Sequence, residues 1–298
     1  MQPNSPIRSY CEYLGFNSDG NLLVAGGNLN YFDDPACYYD GTIMMFDGER
    51  WFHFQEQEVK DATKLKYRNI TSVVEDPNEK GHYFASSFSG GIYEFRNGVF
   101  LNHYNNGNSI LVSAARNGDK YYVRVPRVKY DAAGNLWMTN PGAPEAIKVL
   151  KNDGTWVALS YNDIDKSADM NETMTEILFD SRGWLWVTSM FATSTADAGF
   201  FCANLNGTPF DISDDETKCV SAQFKNQDGV SYDVYQLCAL VEDRNGQMWI
   251  GTDAGLFVLT NPKKFFDGAV TFNQIKVPRN DGTGLADYLL SNVVIQSI

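Results

Sequence analysis

Residues 234–260 read VYQLCALVEDRNGQMWIGTDAGLFVLT, two apolar segments separated by an acidic turn. The first segment leads to Glu242 and Asp243, a turn with Gly246 follows, and an aromatic segment with Trp249 comes next. Alternating apolar residues on either side of a glycine turn are typical of antiparallel strands. The stretch therefore predicts a β-hairpin rather than a helix.

The same order of residues returns in four other segments, which are MTEILFDSRGWLWVTS (174–189), VPRVKYDAAGNLWMTN (125–140), ITSVVEDPNEKGHYFASSFSGGIYEF (70–95) and the weaker CEYLGFNSDGNLLVAGG (11–27). Every copy has a turn glycine, namely Gly20, Gly81, Gly134, Gly183 and Gly246. The third residue after each glycine is Leu23, Phe84, Trp137, Trp186 and Trp249, respectively. Recurrence of one unit along the chain indicates a repeat architecture.

Each repeat also supplies later strands. Four dipeptides predict two-residue type I′ turns, because both central residues of such a turn need a positive φ: they are Asp47-Gly48, Asn97-Gly98, Asp153-Gly154 and Asn206-Gly207. Apolar segments such as RWFHF (50–54), VFLNHY (99–104) and TWVAL (155–159) then predict a fourth strand. Each repeat is therefore expected to form a four-stranded antiparallel sheet.

Four-stranded repeats of this length predict an all-β fold, a β-propeller with five recognisable blades and the start of another. The blade motifs lie near residues 10–54, 68–104, 123–159, 172–224 and 235–275, with 292–298 as the first strand of a further blade. The three tryptophans of the repeat are expected to be buried between sheets. Because Ile295 to Ile298 repeat the pattern of Ile70 to Val73, we expect the chain to be part of a longer protein.

The charge of the chain excludes some classes of partner. The 298 residues include 24 basic and 37 acidic side chains, which gives a net charge of −13. This excess of carboxylates argues against binding to nucleic acid or to anionic lipid through a basic face. No apolar run is long enough for a transmembrane helix. With three scattered histidines and no Cys-x-x-Cys pair, no cofactor is predicted.

Acidic residues offer little support for catalysis. The pairs Glu75-Asp76 and Glu242-Asp243 resemble the two carboxylates of a glycosidase. An acid or Asn at the same place in every repeat is instead typical of turn architecture, since its side chain can accept hydrogen bonds from the turn amides. No catalytic residue is therefore predicted, although a propeller hydrolase or lyase stays open as a third class.

One loop is a weak candidate for a metal site. Residues 208–218 read TPFDISDDETK and contain Asp211, Asp214, Asp215 and Glu216. Calcium prefers clustered oxygen ligands, but this spacing does not match an EF-hand. A solvated acidic loop is the alternative interpretation.

A binding site is easier to place than a catalytic one. Seven residues before the turn Asp or Asn, the repeats carry polar or amphipathic side chains, which are Tyr10, Asn69, Arg124, Thr173 and Gln236. The next residue is apolar in every repeat. We therefore predict that these five residues, the channel-mouth set, lie at one level around the channel and contact a ligand. An ordinary solvated rim of the channel is the alternative interpretation. Arg124 is the expected anchor for a carboxylate or phosphate.

Residues 237–259 and 70–95 resemble the two-component-regulator propeller repeat, with its Glu-Asp turn and Trp-Ile-Gly-Thr strand. Further segments resemble the PorZ-like proteins of the Bacteroidetes type IX secretion system. They are HYFASSFSGGIYEFRNGVFLNHYNNGNS (82–109), YDAAGNLWMTN (130–140), the loop NGTPFDISDDE (206–216) and RNDGTGLADYLL (279–290).

This resemblance implies a non-enzymatic binding or scaffold domain of an exported protein. Its implied location is the periplasm or the outer-membrane surface, and its implied partners are a glycan, a lipopolysaccharide or an envelope protein. The alternative implied by the same repeat is the periplasmic domain of a hybrid two-component regulator that senses oligosaccharides.

Overall fold

The computed structural model describes residues 4–29, 35–115, 118–165, 168–190 and 199–298. The chain divides into two compact units, Met1–Leu159 and Ser160–Ile298. Each unit is built from antiparallel sheets whose strands follow one another in chain order.

The first unit contains three four-stranded sheets, which we call blades 1, 2 and 3. Blade 1 is β1 (Tyr13–Phe16), β2 (Leu22–Gly26), β3 (Thr42–Phe46) and β4 (Trp51–His53). Blade 2 is β5 (Ile70–Glu75), β6 (His82–Ser87), β7 (Gly91–Arg96) and β8 (Val99–Tyr104). Blade 3 is β9 (Val128–Tyr130), β10 (Leu136–Thr139), β11 (Ile147–Leu150) and β12 (Trp156–Leu159). A 3₁₀ turn, Pro35–Cys37, lies within blade 1, and helix α1 (Glu56–Thr63) connects blades 1 and 2.

The second unit contains blade 4, a four-stranded sheet, and blade 5, a three-stranded sheet. Blade 4 is β13 (Met174–Phe179), β14 (Leu185–Ser189), β15 (Gly199–Asn204) and β16 (Glu216–Ser221). Blade 5 is β19 (Leu237–Glu242), β20 (Met248–Thr252) and β21 (Gly255–Leu259). The remaining elements are α2 (Asn162–Asp165), α3 (Ala168–Thr173), the hairpin β17 (Gln223–Lys225) and β18 (Ser231–Asp233), the 3₁₀ turn Pro262–Lys264, and the hairpin β22 (Lys276–Pro278) and β23 (Ala286–Tyr288).

The predicted fold class, an all-β propeller built from four-stranded blades, is confirmed by these sheets. Blade 5 differs in one detail, because its fourth strand is reduced to a bridge between Val258 and Asn273. The second unit also contains two short hairpins that the repeat did not predict.

Two of the four predicted type I′ turns have the expected backbone. Both central residues have a positive φ at Asn97-Gly98 (51° and 78°) and at Asn206-Gly207 (49° and 80°). Asn97-Gly98 joins β7 directly to β8 as predicted. At Asn206-Gly207 the prediction of a two-residue hairpin is wrong, because residues 205–215 separate β15 from β16. At Asp47 and Asp153 only the following glycine has a positive φ, so the type I′ prediction is wrong there. The reason at Asp47 is local, because its carboxylate accepts the Glu49 and Arg50 amides and so favours a different turn conformation.

The turn Asp of the repeat has a structural role, as the sequence predicted. In blade 4, Asp180 Oδ1 accepts the amides of Arg182 (2.9 Å) and Trp184 (3.0 Å). Its Oδ2 accepts the indole N–H of Trp186 at 2.7 Å. One carboxylate therefore holds both the turn and the buried tryptophan of the second strand of the blade.

The same arrangement recurs in other blades. Asp131 and Asp243 each accept two turn amides and a tryptophan indole N–H. In blade 1, Asn17 Oδ1 accepts the amides of Asp19 (3.1 Å) and Asn21 (2.8 Å). A carboxylate or carboxamide thus closes the turn after the first strand of the blade.

The Glu of the Glu-Asp pair ties neighbouring blades together. Glu75 Oε2 in blade 2 accepts the Ser18 amide of blade 1 at 2.6 Å, and its Oε1 accepts the Gly81 amide at 2.8 Å. Burial alone would raise the pKa of Glu75, but these amide hydrogen bonds outweigh burial and lower it. Glu242 in blade 5 likewise accepts the Ser181 amide of blade 4 at 2.6 Å. These acids are fully engaged in structure.

The tryptophan positions agree with the predicted wedge role. Trp137 and Trp186 have no exposed surface, and Phe84 is buried. Trp249 is partly exposed, so it is less completely buried than Trp137 and Trp186. In blades 3 and 4 the residue directly across the sheet is Val149 or Cys202, and both are buried.

A bulge near the start of the first strand directs a threonine toward the next blade. The register shifts between Ile70 and Ser72 in blade 2, and the Thr71 hydroxyl donates to the Val125 carbonyl of blade 3 at 3.1 Å. In blade 4 the Thr175 hydroxyl donates to the Leu237 carbonyl of blade 5 at 3.2 Å. The bulge therefore adds a polar contact between adjacent blades.

Ile295 contacts blade 5 as an innermost strand would. Its amide donates to the Thr252 carbonyl at 3.0 Å, just as Val125 donates to Ser87 at 2.9 Å between blades 3 and 2. A Cβ at Gly251 would lie 2.7 Å from the Ile295 carbonyl oxygen, so this approach requires glycine. The assignment of 292–298 to a further blade stays a prediction.

Replacing Asp180 by Ala is expected to lower the free energy of unfolding by about 3 kcal/mol, because it leaves two turn amides, the Trp186 indole and the Arg182 guanidinium without their acceptor. Chemical denaturation measures this change. The control is Asp211→Ala, which removes an exposed carboxylate whose hydrogen bonds within the described residues are to Ser213, and it is expected to change stability by less than about 1 kcal/mol. Equal losses in the two variants would contradict the anchoring role.

Candidate functional site

Three members of the channel-mouth set lie in the first unit, and the first of them is Tyr10. Its ring lies 4.6 Å from the ring of Tyr39, centroid to centroid, and its hydroxyl donates to the Asp40 carbonyl at 3.1 Å. Tyr10 is partly exposed. Part of its surface can therefore contact a ligand.

Asn69 has a structural role in the same region. It has no exposed surface, and its φ is 50°, in the left-handed region. Its Oδ1 accepts the Tyr39 amide at 2.8 Å, and its own amide donates to the Tyr39 carbonyl at 2.9 Å. Its carbonyl accepts the Phe88 amide. Asn69 thus positions Tyr39 and Phe88 and does not itself reach solvent.

Arg124 lies on the other side of Phe88. Its guanidinium carbon is 5.3 Å from the centroids of both the Phe88 and Tyr122 rings, and its Nε donates to the Tyr122 hydroxyl at 3.3 Å. The side chain is partly exposed. The aromatic contacts hold the charge in place and leave other N–H groups able to donate to an anion.

Thr173 and Gln236 lie in the second unit. Thr173 is the last residue of α3, and its carbonyl accepts the Met190 amide at 2.9 Å. Gln236 is held by Asp253, which accepts its amide at 3.2 Å and donates its own amide to the Gln236 carbonyl at 3.2 Å. Both side chains are partly buried. Their contact with a ligand stays a prediction.

A pocket beside Tyr10 and Asn69 was missed by the sequence reasoning. It has a volume of about 500 Å³, and we call it the cationic pocket. Its lining includes Tyr38, Tyr39, Asp40, Lys60, Lys64, Lys66 and Arg68. Four cations and one carboxylate make it strongly positive in a protein of net charge −13. The signal that could have found it is the basic segment KDATKLKYR (60–68), directly before Asn69.

The cations of this pocket differ in how many contacts they make with other side chains of the protein. Lys60 shares Asp40 and Glu56 with Arg8, at nitrogen-to-oxygen distances of 3.7–3.9 Å. The Arg68 guanidinium lies 3.5 Å from the centroid of the Tyr38 ring. Lys64 and Lys66 are exposed, and within the described part of the chain neither forms an ion pair. These two lysines are the most available to an anionic ligand.

The acidic loop makes contacts within the protein. Asp211 accepts the amide and hydroxyl of Ser213, and Asp214 accepts the Thr208 hydroxyl. Asp215 accepts the Tyr161 hydroxyl at 2.7 Å, and burial raises the pKa of its carboxyl. Glu216 begins β16. In residues that the structure describes, no group of three or more His, Cys, Asp or Glu side chains is arranged to hold a metal ion.

Comparisons with known proteins agree with this architecture. Residues 229–254 match the family model of the two component regulator propeller. No curated protein matches the chain in sequence. No helix in the described ranges is long and apolar enough to cross a membrane.

Among solved structures, the chain is similar to PorZ of Porphyromonas gingivalis, a bacterial surface component of the type-IX secretion system, with a TM-score of 0.84 and 22% identity. That alignment covers 100% of this chain and 38% of PorZ. The extracellular domain of BT4673 from B. thetaiotaomicron, assigned to a hybrid two component system, aligns with a TM-score of 0.55 and 14% identity over 96% of this chain and 31% of its own. The predicted resemblance to the regulator propeller repeat and to PorZ is therefore confirmed.

Enzymes also share the fold. The periplasmic gluconolactonase PpgL of Pseudomonas aeruginosa aligns with a TM-score of 0.51 and 12% identity, over 93% of this chain and 70% of its own. At these identities the likeness concerns the fold alone. The chain spans well under half the length of PorZ and of BT4673.

Replacing Asn69 by Ala tests its positioning role. Alanine retains the strain of a positive φ and also loses the hydrogen bond to the Tyr39 amide, so we expect a loss of about 2–3 kcal/mol in the free energy of unfolding. Asn97→Ala is the matched control, because Asn97 has a similar φ of 51° in an exposed turn. Chemical denaturation of both variants isolates the Tyr39 contact, and equal losses would show that the contact contributes nothing.

Proposed function

We propose that this chain is a non-enzymatic binding domain of an exported bacterial envelope protein, and that it recognises an acidic glycan such as the sugar part of a lipopolysaccharide. The observation that carries this proposal is the cationic pocket beside Tyr10 and Asn69. An acidic protein whose local surface is strongly positive draws anions to that place.

The chemistry of the pocket suits an acidic sugar. Lys64 and Lys66 can meet a carboxylate or a phosphate, while Tyr10 and Tyr39 offer aromatic surface for the apolar face of a sugar ring. Such a combination selects an acidic saccharide over an inorganic anion, because the aromatic contacts need a ring to stack on.

A second cationic group extends the surface. Arg68 donates to the Ser89 hydroxyl at 3.3 Å, and Arg124 lies over the adjacent Phe88. The two guanidinium groups therefore flank the segment Phe88 to Ser89 within the first unit. Two guanidinium groups beside one segment favour a ligand with acidic groups on more than one sugar residue.

The similarity to BT4673 favours a second candidate function, the periplasmic sensing domain of a hybrid two-component regulator that binds oligosaccharides. The same pocket would serve both functions. An enzymatic role is not proposed, since the repeat acids Glu75, Glu242 and Asp180 are engaged in turns and blade contacts.

The double variant Lys64→Ala, Lys66→Ala is expected to weaken binding of a galacturonic acid oligomer roughly tenfold, because two unpaired cations are lost from the site. Titration calorimetry at low and high salt measures the change, and the wild-type affinity is expected to fall as salt rises. Lys263→Ala, Lys264→Ala is the control, since it removes two exposed lysines from the second unit. Equal effects of the two double variants would contradict a site at the cationic pocket.

Replacing Arg124 by Ala is expected to weaken binding of the same acidic oligomer by about 2–4 kcal/mol, because a guanidinium forks to a carboxylate. A neutral galactose oligomer, if bound, should be affected less. The thermal unfolding midpoint reports whether the domain stays folded. Unchanged affinity for the acidic oligomer in a folded variant would remove Arg124 from the site.

A further inference from the structure

A second cavity lies between blades 2 and 3, and it shares no residue with the cationic pocket. Its volume is about 220 Å³. The polar groups that line it include Asp76, His82, Glu94, Tyr104 and Tyr130. Phe84, Lys151 and Trp156 add aromatic surface and a positive charge. Carboxylates, imidazole and aromatic rings thus converge on a space inside a blade contact that is apolar elsewhere.

The repeat is altered at this contact. Blade 2 has Phe84 where blades 3, 4 and 5 have tryptophan. Across the sheet from this aromatic residue blade 2 has Glu94, whereas the other blades carry an apolar residue, namely Met45, Val149, Cys202 and Val258. The smaller ring leaves space, and the carboxylate makes that space polar. Departures from an otherwise consistent pattern are expected at functional sites.

Hydrogen bonds organise the polar groups around His82. Its Nε2 lies 2.7 Å from Glu94 Oε1, and its Nδ1 lies 3.2 Å from Asp76 Oδ2. The Tyr104 hydroxyl donates to Glu94 Oε2 at 2.8 Å. Each Glu94 oxygen therefore meets one hydrogen-bonding group, His82 or Tyr104, and keeps a further lone pair that can accept a hydroxyl.

Tyr130 provides a group that lacks a partner. Its hydroxyl is buried and has no hydrogen-bond partner among the described residues. Tyr130 occupies the position of Glu75 and Glu242, which accept an amide from the preceding blade. The corresponding residue of blade 2 is Pro77, which has no amide hydrogen to donate. Buried hydroxyls are normally satisfied, so this one indicates a missing partner.

We propose that this cavity, the interblade cavity, binds a single neutral sugar ring. Its volume is below the roughly 300–1,000 Å³ typical of drug-sized sites, which limits the ligand to one small ring. Because carboxylates and Lys151 line the same space, hydroxyl groups that both donate and accept fit it better than a net charge does. Phe84 and Trp156 provide surface for the C–H face of the ring.

This inference does not rest on the proposed function, because it concerns different residues and a neutral ligand. The alternative is a cavity that holds only water, since a water molecule could also form a hydrogen bond with the buried Tyr130 hydroxyl. A titration with defined sugars separates the two.

The experiment follows the histidine ring signals by NMR while glucose, galactose or N-acetylglucosamine is added to the intact chain up to about 50 mM, a range that detects millimolar affinity. The chain has three histidines, so the His82 signal can be assigned by substituting the other two. The expected result is a saturable shift of the His82 signal with at least one of the sugars.

Two variants locate the site. Tyr130→Phe removes only the unpartnered oxygen, so the protein should stay folded, and it is expected to weaken the sugar about tenfold. Glu94→Gln is expected to have a similar effect. Tyr161→Phe, which removes a hydroxyl bonded to Asp215 in the second unit, should leave the affinity unchanged.

The double variant Lys64→Ala, Lys66→Ala should also leave this titration unchanged, which separates the interblade cavity from the cationic pocket. No saturable shift with any of the three sugars would overturn the proposal in favour of water alone. Equal affinities of the wild type and the Tyr130→Phe variant would overturn it as well.

Discussion

A side-chain oxygen that accepts the amides of its own turn recurs between the first and second strands of all five blades. In blade 4 the Asp180 carboxylate serves the turn with one oxygen and the Trp186 indole with the other. Because one group holds both, the turn and the orientation of the packed tryptophan are fixed together. The neighbouring Glu of blades 2 and 5 extends this arrangement to the preceding blade through Ser18 and Ser181.

Blade 2 shows what happens when the arrangement loses its indole. Phe84 has no N–H, so the second oxygen of Asp76 is left to His82. The imidazole in turn meets Glu94, a carboxylate in a position that is apolar in the other blades. Phe84 and Glu94 together thus make this blade contact a polar cavity, and the four-stranded sheet around it is retained.

Charge is distributed unevenly over this acidic chain. Lys60, Lys64, Lys66 and Arg68 lie within nine residues, beside two tyrosines whose rings are in contact. The buried Asn69 stabilises this surface, because its side-chain oxygen accepts the Tyr39 amide and holds Tyr39 in place. The basic residues of the pocket come directly before the first strand of blade 2. The sheet therefore supports the binding surface.

The sequence by itself determined the repeat, the antiparallel blades and the structural role of the turn acids. These features are local: Asp180 and Trp186 are six residues apart, and their spacing is visible in the printed chain. Only the tertiary structure shows that Asn69 is buried, that Trp249 is partly exposed and that Glu94 and Tyr130 line one cavity. Those outcomes depend on contacts between residues some thirty or more positions apart, and side-chain burial at such distances follows from the packing of whole blades rather than from local pattern.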